Sequence, residues 1–230
     1  MRFDILTIFP RIFDSYLRES LLKRAREKRL VDINVWNIRD FASGGEDKRQ
    51  TGQRRTFRQV DDRPFGGGPG MVMQVGPIYK AVKFAKSKAR RAKHKRVILF
   101  STRGRKFDSA VARRLSRYNQ LILICGRYEG VDERVAKYVA DEEISVGDYV
   151  LSGGELPALV LVETVSRFLP GFLGKHDSLE EIKGSYPVYT RPSVFCAGKS
   201  PKRGWAVPRV LLSGNHNAIN KWRVSRRGKP

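Results

Sequence analysis

Two short runs, VILF at residues 97–100 and LILIC at 121–125, are apolar at every position rather than at alternate ones. A strand with one wet face alternates, whereas a strand covered on both faces does not, and such strands belong to parallel sheets flanked by helices. The segment between the two runs reads as a helix from about Ser109, whose side chain is placed to cap it. Upstream, RFDILTI (2–8) and DINVWNI (32–38) read as strands, and Phe13, Leu17 and Leu21 recur at helical spacing between them. A further helix follows Pro77, with Ile78, Ala81, Val82 and Ala85 on one face, and another spans 154–168 before the stop signals Pro170 and Gly171. Strand and helix alternate, so the chain predicts an α/β fold built on a doubly wound parallel sheet.

LILIC and a second apolar run, ISV at 144–146, open directly into glycine-punctuated segments, CGRYEGVDERV (125–135) and ISVGDYVLSGGELP (144–157). In α/β sheets ligands sit beyond the carboxyl ends of strands, where small residues let backbone amides come close. Gly126, Gly130, Gly147, Gly153 and Gly154 supply such a surface. The familiar phosphate cradles are missing: GGGPGM (66–71) lacks a GK[ST] ending, and no GxGxxG opens a helix after a strand. That pattern argues against ATP or NAD chemistry. No serine has a nucleophile-elbow context, and His94 lies in a basic run, so a Ser/His/Asp triad is not encoded. Glycines 66–68 read as turn formers. The site that remains is glycine-lined and suited to a neutral or zwitterionic cofactor.

Charge names the partner. Lys plus Arg total 46 against 23 Asp plus Glu, a formal net charge of +23. An excess of that size favours a polyanion, nucleic acid before any other, through counterion release. Basic residues gather in ASGGEDKRQTGQRRTFRQ (42–59), read as a long loop, and in KSKARRAKHKR (86–96). Two cysteines without a CxxC pair and three scattered histidines encode neither a disulfide scaffold nor a zinc site. The apolar run in MRFDILTIFP is too short for a signal segment and no stretch matches a membrane span, which sets the expectation of a cytoplasmic protein. Past residue 171 Gly, Pro, Ser and Lys dominate to about 204, and a short helix is expected over 215–224.

Seven segments carry a family resemblance: VDDRPFGGGPGMVM (60–73), STRGRKFD (101–108), LILICGRYEGVDERV (121–135), DEEISVGDYVLSGGELPALVL (141–161), SRFLPGFLG (166–174), YPVYTRP (186–192) and VLLSGNHNAINKWR (210–223). Together, and in this order, they resemble the bacterial tRNA (guanine-37 N1)-methyltransferases, the TrmD family of the SPOUT class. The resemblance implies a methyl transfer from S-adenosylmethionine to N1 of guanosine 37 in tRNA, with Mg2+ admitted as an assisting ion and no resident metal ligands. It also implies a trefoil knot, which default chain topology would not suggest, and a homodimer with the active site at the subunit interface. By the same match residues 1–168 form the cofactor-binding knot domain, 169–190 a mobile linker, and 191–230 a small, mostly helical RNA-binding domain shorter than the family's.

The resemblance assigns three cofactor loops. The first holds Leu99, Phe100, Ser101, Thr102 and Gly104; Thr102 stands where the family usually has proline. The second holds Gly126, Tyr128, Glu129 and Gly130. The third runs through Ser145, Val146, Gly147, Asp148, Tyr149, Val150 and Leu151 to Gly153 and Gly154, with Pro157 closing the pocket. Tyr128 and Tyr149 either stack on the cofactor or fill the core. Arg127 is assigned to RNA, together with Lys48, Arg49, Arg54 and Arg55 of the 42–59 segment.

Methylating guanine N1 requires a base for its proton and a cation for charge developing on O6. Arg167 matches the family's arginine. The family's aspartate has no counterpart in register within GKHDSLEEIKGSYP. Counting from Gly174 reaches Ile182, beside Glu181; counting back from Pro187 reaches Asp177. Glu181 is the first candidate base and Asp177 the second, with Asp61, neighbour of Asp62, and Glu129 behind them. Two rivals stay open: a noncatalytic RNA-binding or ribosome-assembly protein on the same fold, and a SPOUT methyltransferase with another RNA target.

Overall fold

The computed structural model describes residues 1–42, 45–46, 56–173, 184–197 and 204–227. The chain divides into two compact units, Met1–Phe172 and Leu173–Pro230. In chain order the first unit holds β1 (Arg2–Thr7), α1 (Ser20–Glu27) and β2 (Asp32–Asn37), followed by short ladders β3 (Gly45–Glu46) with β4 (Thr56–Phe57) and β5 (Asp61–Asp62) with β6 (Val72–Met73). It continues through α2 (Val75–Lys88), β7 (Lys95–Lys106), α3 (Ser109–Leu115), β8 (Gln120–Ile124), α4 (Glu133–Tyr138), β9 (Glu142–Ser145) and α5 (Glu155–Arg167). In the second unit β10 (Val194–Cys196) and β11 (Gly204–Ala206) form an antiparallel hairpin, followed by α6 (Arg209–Leu212) and α7 (His216–Ser225).

Five strands make one sheet in the order β2-β1-β8-β7-β9, every neighbouring pair parallel. Its two faces are both covered. Leu6, Val97, Leu99, Ile122 and Ile124 meet Ile78, Ala81, Val82 and Ala85 of α2 in one core. The alternate positions Phe3, Ile5, Ile98, Leu121 and Leu123 point the other way and are also buried, on the side where α5 packs on β1 and on α3. All five residues of β8 are fully buried. At roughly 1.5–3 kcal/mol for each buried Leu or Ile side chain, this strand anchors the sheet, and two-sided burial is why its sequence does not alternate.

The buried acid of this core is fully engaged, while Gln120 Oε1 and Ser166 Oγ are buried without a hydrogen-bond partner among the described residues. The buried Asp4 carboxylate accepts from the Arg2 guanidinium at 2.7 and 2.8 Å, from Trp36 Nε1 at 2.8 Å and from Gln120 Nε2 at 2.6 Å. Gln120 Nε2 also donates to the Ala85 carbonyl at 2.9 Å, so one amide ties β1, β8 and α2 at the end of the sheet opposite the glycine loops.

Three expectations need correction. The single helix predicted through Phe13, Leu17 and Leu21 is two 3-10 turns, Pro10–Phe13 and Tyr16–Arg18, followed by α1. Glu19 is extended and Ser20 adopts φ +50°, which breaks the helical path, and Leu22 rather than Leu21 is buried. The cap of α3 is Asp108, whose Oδ1 accepts from Val111 N at 2.7 Å; Ser109 is already inside the helix. The strand expected over 97–100 runs on to Lys106 because β7 meets β9 twice: Phe100 and Arg105 both pair with Ile144, with residues 101–104 looped out between them. The helices expected after Pro77, over 154–168 and over 215–224 are α2, α5 and α7, the last capped by Asn215.

An ion-pair clamp closes the sheet's edge. Glu142 of β9 accepts from Arg96 of β7 at 3.0 Å and from Arg114 of α3 at 2.6 Å. Burial opposes the Glu142 charge, yet the hydrogen bonds from Arg114 and Arg96 prevail and hold its carboxyl below the usual range. The unfolded chain therefore protonates first as pH falls, and stability drains between the ordinary Glu pKa of about 4.3 and the lower folded value. Glu142→Gln is expected to lower the melting temperature at neutral pH and to flatten its decline in that acid window. Calorimetric melts from pH 7 to pH 3 check this, and an unchanged acid slope would count against the clamp.

Candidate active site

The segment looped out within β7 and the loops that leave the carboxyl ends of β8 and β9 enclose a cleft of about 390 Å3. Small-molecule sites commonly occupy about 300–1,000 Å3. The loops touch through backbone. Gly154 N donates to the Gly126 carbonyl at 3.0 Å, and a Cβ on Gly154 would stand 2.6 Å from Cys125 Cα. A Cβ on Gly104 would stand 2.5 Å from Ile144 N. The second loop is tied from behind: Met73 N donates to the Gly130 carbonyl at 2.9 Å and Glu129 N to the Met71 carbonyl at 3.1 Å. Gly66, Gly67, Gly68 and Gly70 in the preceding turn all have positive φ.

Most residues assigned to the cofactor from sequence line this one cleft. Leu99, Phe100, Ser101 and Thr102 come from the first loop, and Gly126, Tyr128, Glu129 and Gly130 from the second. Ser145, Val146, Gly147, Tyr149, Val150, Leu151, Gly153, Gly154 and Pro157 come from the third. Gly104 and Asp148 do not line it. Gly104 is spent on the close approach to β9, and Asp148 turns outward to pair with Lys106. Ser101 and Ser145 brace their own loops: Ser101 Oγ accepts from Arg103 N at 3.2 Å, and Ser145 Oγ donates to the Gly147 carbonyl at 3.0 Å. Neither tyrosine is core. Tyr128, at φ +62°, and Tyr149 are both exposed on the cleft, with their hydroxyls bonded to Arg39 and to the Val146 carbonyl.

The lining also includes Arg103 and Ser152, which lie within the assigned loops, and residues that sequence reasoning passed over: Val131, Glu133, Ala136, Glu143 and Ile144. Arg103 donates to Glu133 at 2.7 Å across the rim, and that contact draws the Glu133 carboxyl below its ordinary range. Glu143 Oε2 is buried without a hydrogen-bond partner among the described residues. Glu155 was also missed; its signal was an acidic residue directly after GG at a helix start. Its carboxylate accepts from Thr7 Oγ1 at 2.7 Å and from Arg127 Nε at 2.8 Å. Burial, aided by the nearby Glu155 charge, pushes the Cys125 thiol well above its usual range, so this cysteine acts as a small apolar residue.

The catalytic and RNA-binding candidates divide. Arg127 lines the cleft. Asp61 does not: it is held in the β5–β6 ladder opposite Met73, its carbonyl accepting from Gln59 and Gln74. Arg167 ends α5 while Pro157 near its start lines the cleft. Thirteen residues of helix from Glu155 to Arg167, twelve steps of 1.5 Å, span about 18 Å, so Arg167 is remote from its own chain's cleft. Glu181, Asp177, Lys48, Arg49, Arg54 and Arg55 lie outside the described residues. Among the described residues no group of three His, Cys, Asp or Glu side chains could hold a metal ion, and no helix is long and apolar enough to cross a membrane.

Comparison with known proteins agrees with this geometry. The family model for tRNA (Guanine-1)-methyltransferase TrmD matches residues 1–229. The chain is 51% identical over 228 residues to the tRNA (guanine-N(1)-)-methyltransferase of Geotalea uraniireducens, covering 97% of this chain and 84% of that one. It is 43% identical to the enzyme of that name from Clostridioides difficile, covering 97% and 90%. The crystal structure of tRNA (m1G37) methyltransferase from Aquifex aeolicus superposes with a TM-score of 0.76 at 39% identity, over 98% of this chain and 88% of that one. With a full-length family match and a cleft assembled from the same three loops that the motifs mark, the chain belongs to the tRNA (guanine-1)-methyltransferase family, TrmD.

Proposed function

We propose that this protein is an S-adenosylmethionine-dependent methyltransferase that modifies N1 of guanosine 37 in tRNA. One observation carries the reading beyond family membership: three loops, tied backbone to backbone, form a single cleft with apolar, glycine and hydroxyl lining. That lining suits S-adenosylmethionine, whose adenine and methylene groups need apolar contact and whose ends need polar partners. The buried, unpartnered Glu143 Oε2 offers an acceptor for a hydroxyl or an ammonium group. When bound, the cofactor supplies a methyl group on a sulfonium, an electrophile that needs no metal-activated partner.

The chain's own residues do the rest. A linker carboxylate, Glu181 before Asp177, takes the N1 proton as the methyl–sulfur bond breaks and the methyl–nitrogen bond forms. Arg167 holds the charge that gathers on O6, an effect exerted mostly in the transition state. Mg2+ is admitted as an ion assisting catalysis, and no residue is assigned to it. The first 168 residues form the cofactor domain, with β7, β9 and the loops between them threaded as the family's knot. Residues 169–190 form the linker and 191–230 the RNA-binding part, and the protein works in the cytoplasm, where tRNA is.

We place the active site between two copies of the chain. Arg167 shares a face of α5 with the exposed Leu156 and Val160 and with Glu163, spaced at three and four residues, Arg167 and Glu163 themselves being half-buried. Glu163 interacts with Tyr16, whose hydroxyl is raised by burial and by that carboxylate. Exposed Phe9, Ile12 and Tyr16 extend the apolar surface. A second copy seated there would bring its Arg167 toward this chain's cleft.

Two experiments test the reading. In calorimetry, S-adenosylmethionine and its demethylated product are expected to bind, and ATP or NAD not to compete. Gly154→Val, which drives a side chain into Cys125, is expected to lower that affinity at least a hundredfold while tRNA affinity stays within a few-fold; competition by ATP or NAD would refute the cofactor assignment. The second experiment mixes inactive protomers. Arg167→Ala alone is expected to cut turnover about a hundredfold or more with little change in cofactor binding. Co-refolded with Gly154→Val, it regains activity, because one of the two sites in the mixed dimer then has both an intact cleft and an intact arginine. No recovery would place both residues in one chain's site. Glu181→Gln is expected to remove the acid limb of the pH–rate profile; if Asp177→Asn does so instead, the second candidate is the base. A protein that binds tRNA and cofactor but never methylates would support the noncatalytic rival.

A further inference from the structure

Two acids of the described first unit are almost fully buried, Asp4 and Glu155. Asp4 binds three elements of the framework, as shown above. Glu155 sits at the opposite end of the sheet, where the framework already closes through backbone contacts. Removing a carboxylate from water costs several kcal/mol, so its retention depends on what it binds. Its Oε1 accepts from Thr7 Oγ1 at 2.7 Å, and its Oε2 from Arg127 Nε at 2.8 Å. Thr7 is itself fixed, accepting from Phe9 N at 2.9 Å.

All these contacts converge on one guanidinium. Arg127 Nη1 reaches the Ser152 carbonyl at 3.3 Å, and the group lies 4.9 Å from the centre of the Phe9 ring. A Cβ on Gly153 would stand 2.3 Å from Arg127 Nε and 2.6 Å from Glu155 Oε2, so the glycine keeps that space for the ion pair. The Arg127 side chain is nonetheless 21% exposed and lines the cleft. With Nε on Glu155 and Nη1 on the Ser152 carbonyl, the guanidinium keeps its Nη2 end for a further acceptor, and phosphate is an acceptor that it suits. The pair is neutral as a whole, so it does not repel a cationic sulfonium cofactor in the same cleft.

We propose that Glu155 is a positioning residue: from its buried seat against Thr7 it orients Arg127 to grip a phosphate of the tRNA at the edge of the cleft. This rests on the tRNA reading given above. Charge on Arg127 alone would not suffice, because an unheld arginine samples many rotamers and loses that freedom on binding.

The test compares the unaltered protein, Glu155→Gln, Arg127→Ala and the double variant on one tRNA transcript. The amide preserves volume but removes the charge and presents donors toward Arg127. Glu155→Gln is expected to lower kcat/KM for tRNA at least tenfold with cofactor affinity within twofold. It should also reduce the slope of log affinity against log salt by about 0.7 to 0.9, the share of one phosphate contact. Arg127→Ala should give the same slope, and the double variant should be no worse than Arg127→Ala alone. A purely structural brace would leave the salt slope unchanged and would weaken cofactor binding along with activity; either result overturns the proposal, as do additive losses. Should Glu155→Gln fail to fold, Thr7→Val removes one of the two side-chain contacts of Glu155, together with the acceptor for Phe9 N. It should show the same defect in smaller degree, and none in an Arg127→Ala background; a defect that persists there overturns the proposal. If the unaltered protein neither binds nor methylates tRNA, the function and this inference both fail. If it does both and Glu155→Gln matches it, only this inference fails.

Discussion

No side chain fits between residue 154 and the backbone of Cys125, and none fits between residue 104 and the backbone of β9. The cleft depends on these two close approaches. They press the segment looped out within β7 and the loops after β8 and β9 into one another, so the site is shaped by main chain held at fixed spacing rather than by long side chains. A backbone-built wall presents oriented amides and carbonyls with little conformational entropy left to lose on binding. It also transmits sheet rigidity to the ligand. β8 is buried along its whole length, and the loop that leaves it begins at a residue, Cys125, whose amide is bonded to the Leu6 carbonyl of the neighbouring strand.

This dependence on backbone explains what could be read in the sequence. The unbroken apolar runs identified a two-sided sheet because burial on both faces is a property of composition at each position. The glycines marked the cleft because glycine is needed where a Cβ would collide. Patterning failed where a single backbone angle decided the outcome. Nothing in the spacing of Phe13, Leu17 and Leu21 reveals that Glu19 is extended and Ser20 left-handed. Nor does VILF show that its strand resumes after a looped-out segment to pair again with Ile144, since that return is set by contact with β9. Asp148 was misplaced for a related reason. It lies within a glycine motif, but its side chain faces Lys106, and motif membership does not say which way a side chain points.

Charge is distributed unevenly between purposes. The protein carries +23, yet the cationic side chains around the cleft are matched by acids: Arg103 with Glu133, Lys106 with Asp148, Arg127 with Glu155. The surplus lies elsewhere. From residue 184 to the end the sequence contains no aspartate or glutamate at all, so the arginines and lysines there have no acid within their own segment. Such a division lets the basic surfaces attract RNA through long-range, salt-sensitive forces while the cleft stays close to neutral for a zwitterionic or cationic small molecule.

The length of α5 then separates two jobs that the reaction needs together. Its first turn lines the cleft through Pro157, and its last residue is Arg167, about 18 Å from Glu155 at 1.5 Å per residue. One rigid helix cannot deliver both ends to the same cleft. On the proposed dimer, its exposed apolar face would let both ends serve. Leu156 and Val160 are unpaired with any core on the side that Arg167 shares, and burying them against a second copy would make the helix a strut between two clefts, forming the wall of one and supplying the cation of the other. On that arrangement the separation is a consequence of symmetry: each chain gives its neighbour the residue that its own geometry keeps out of reach.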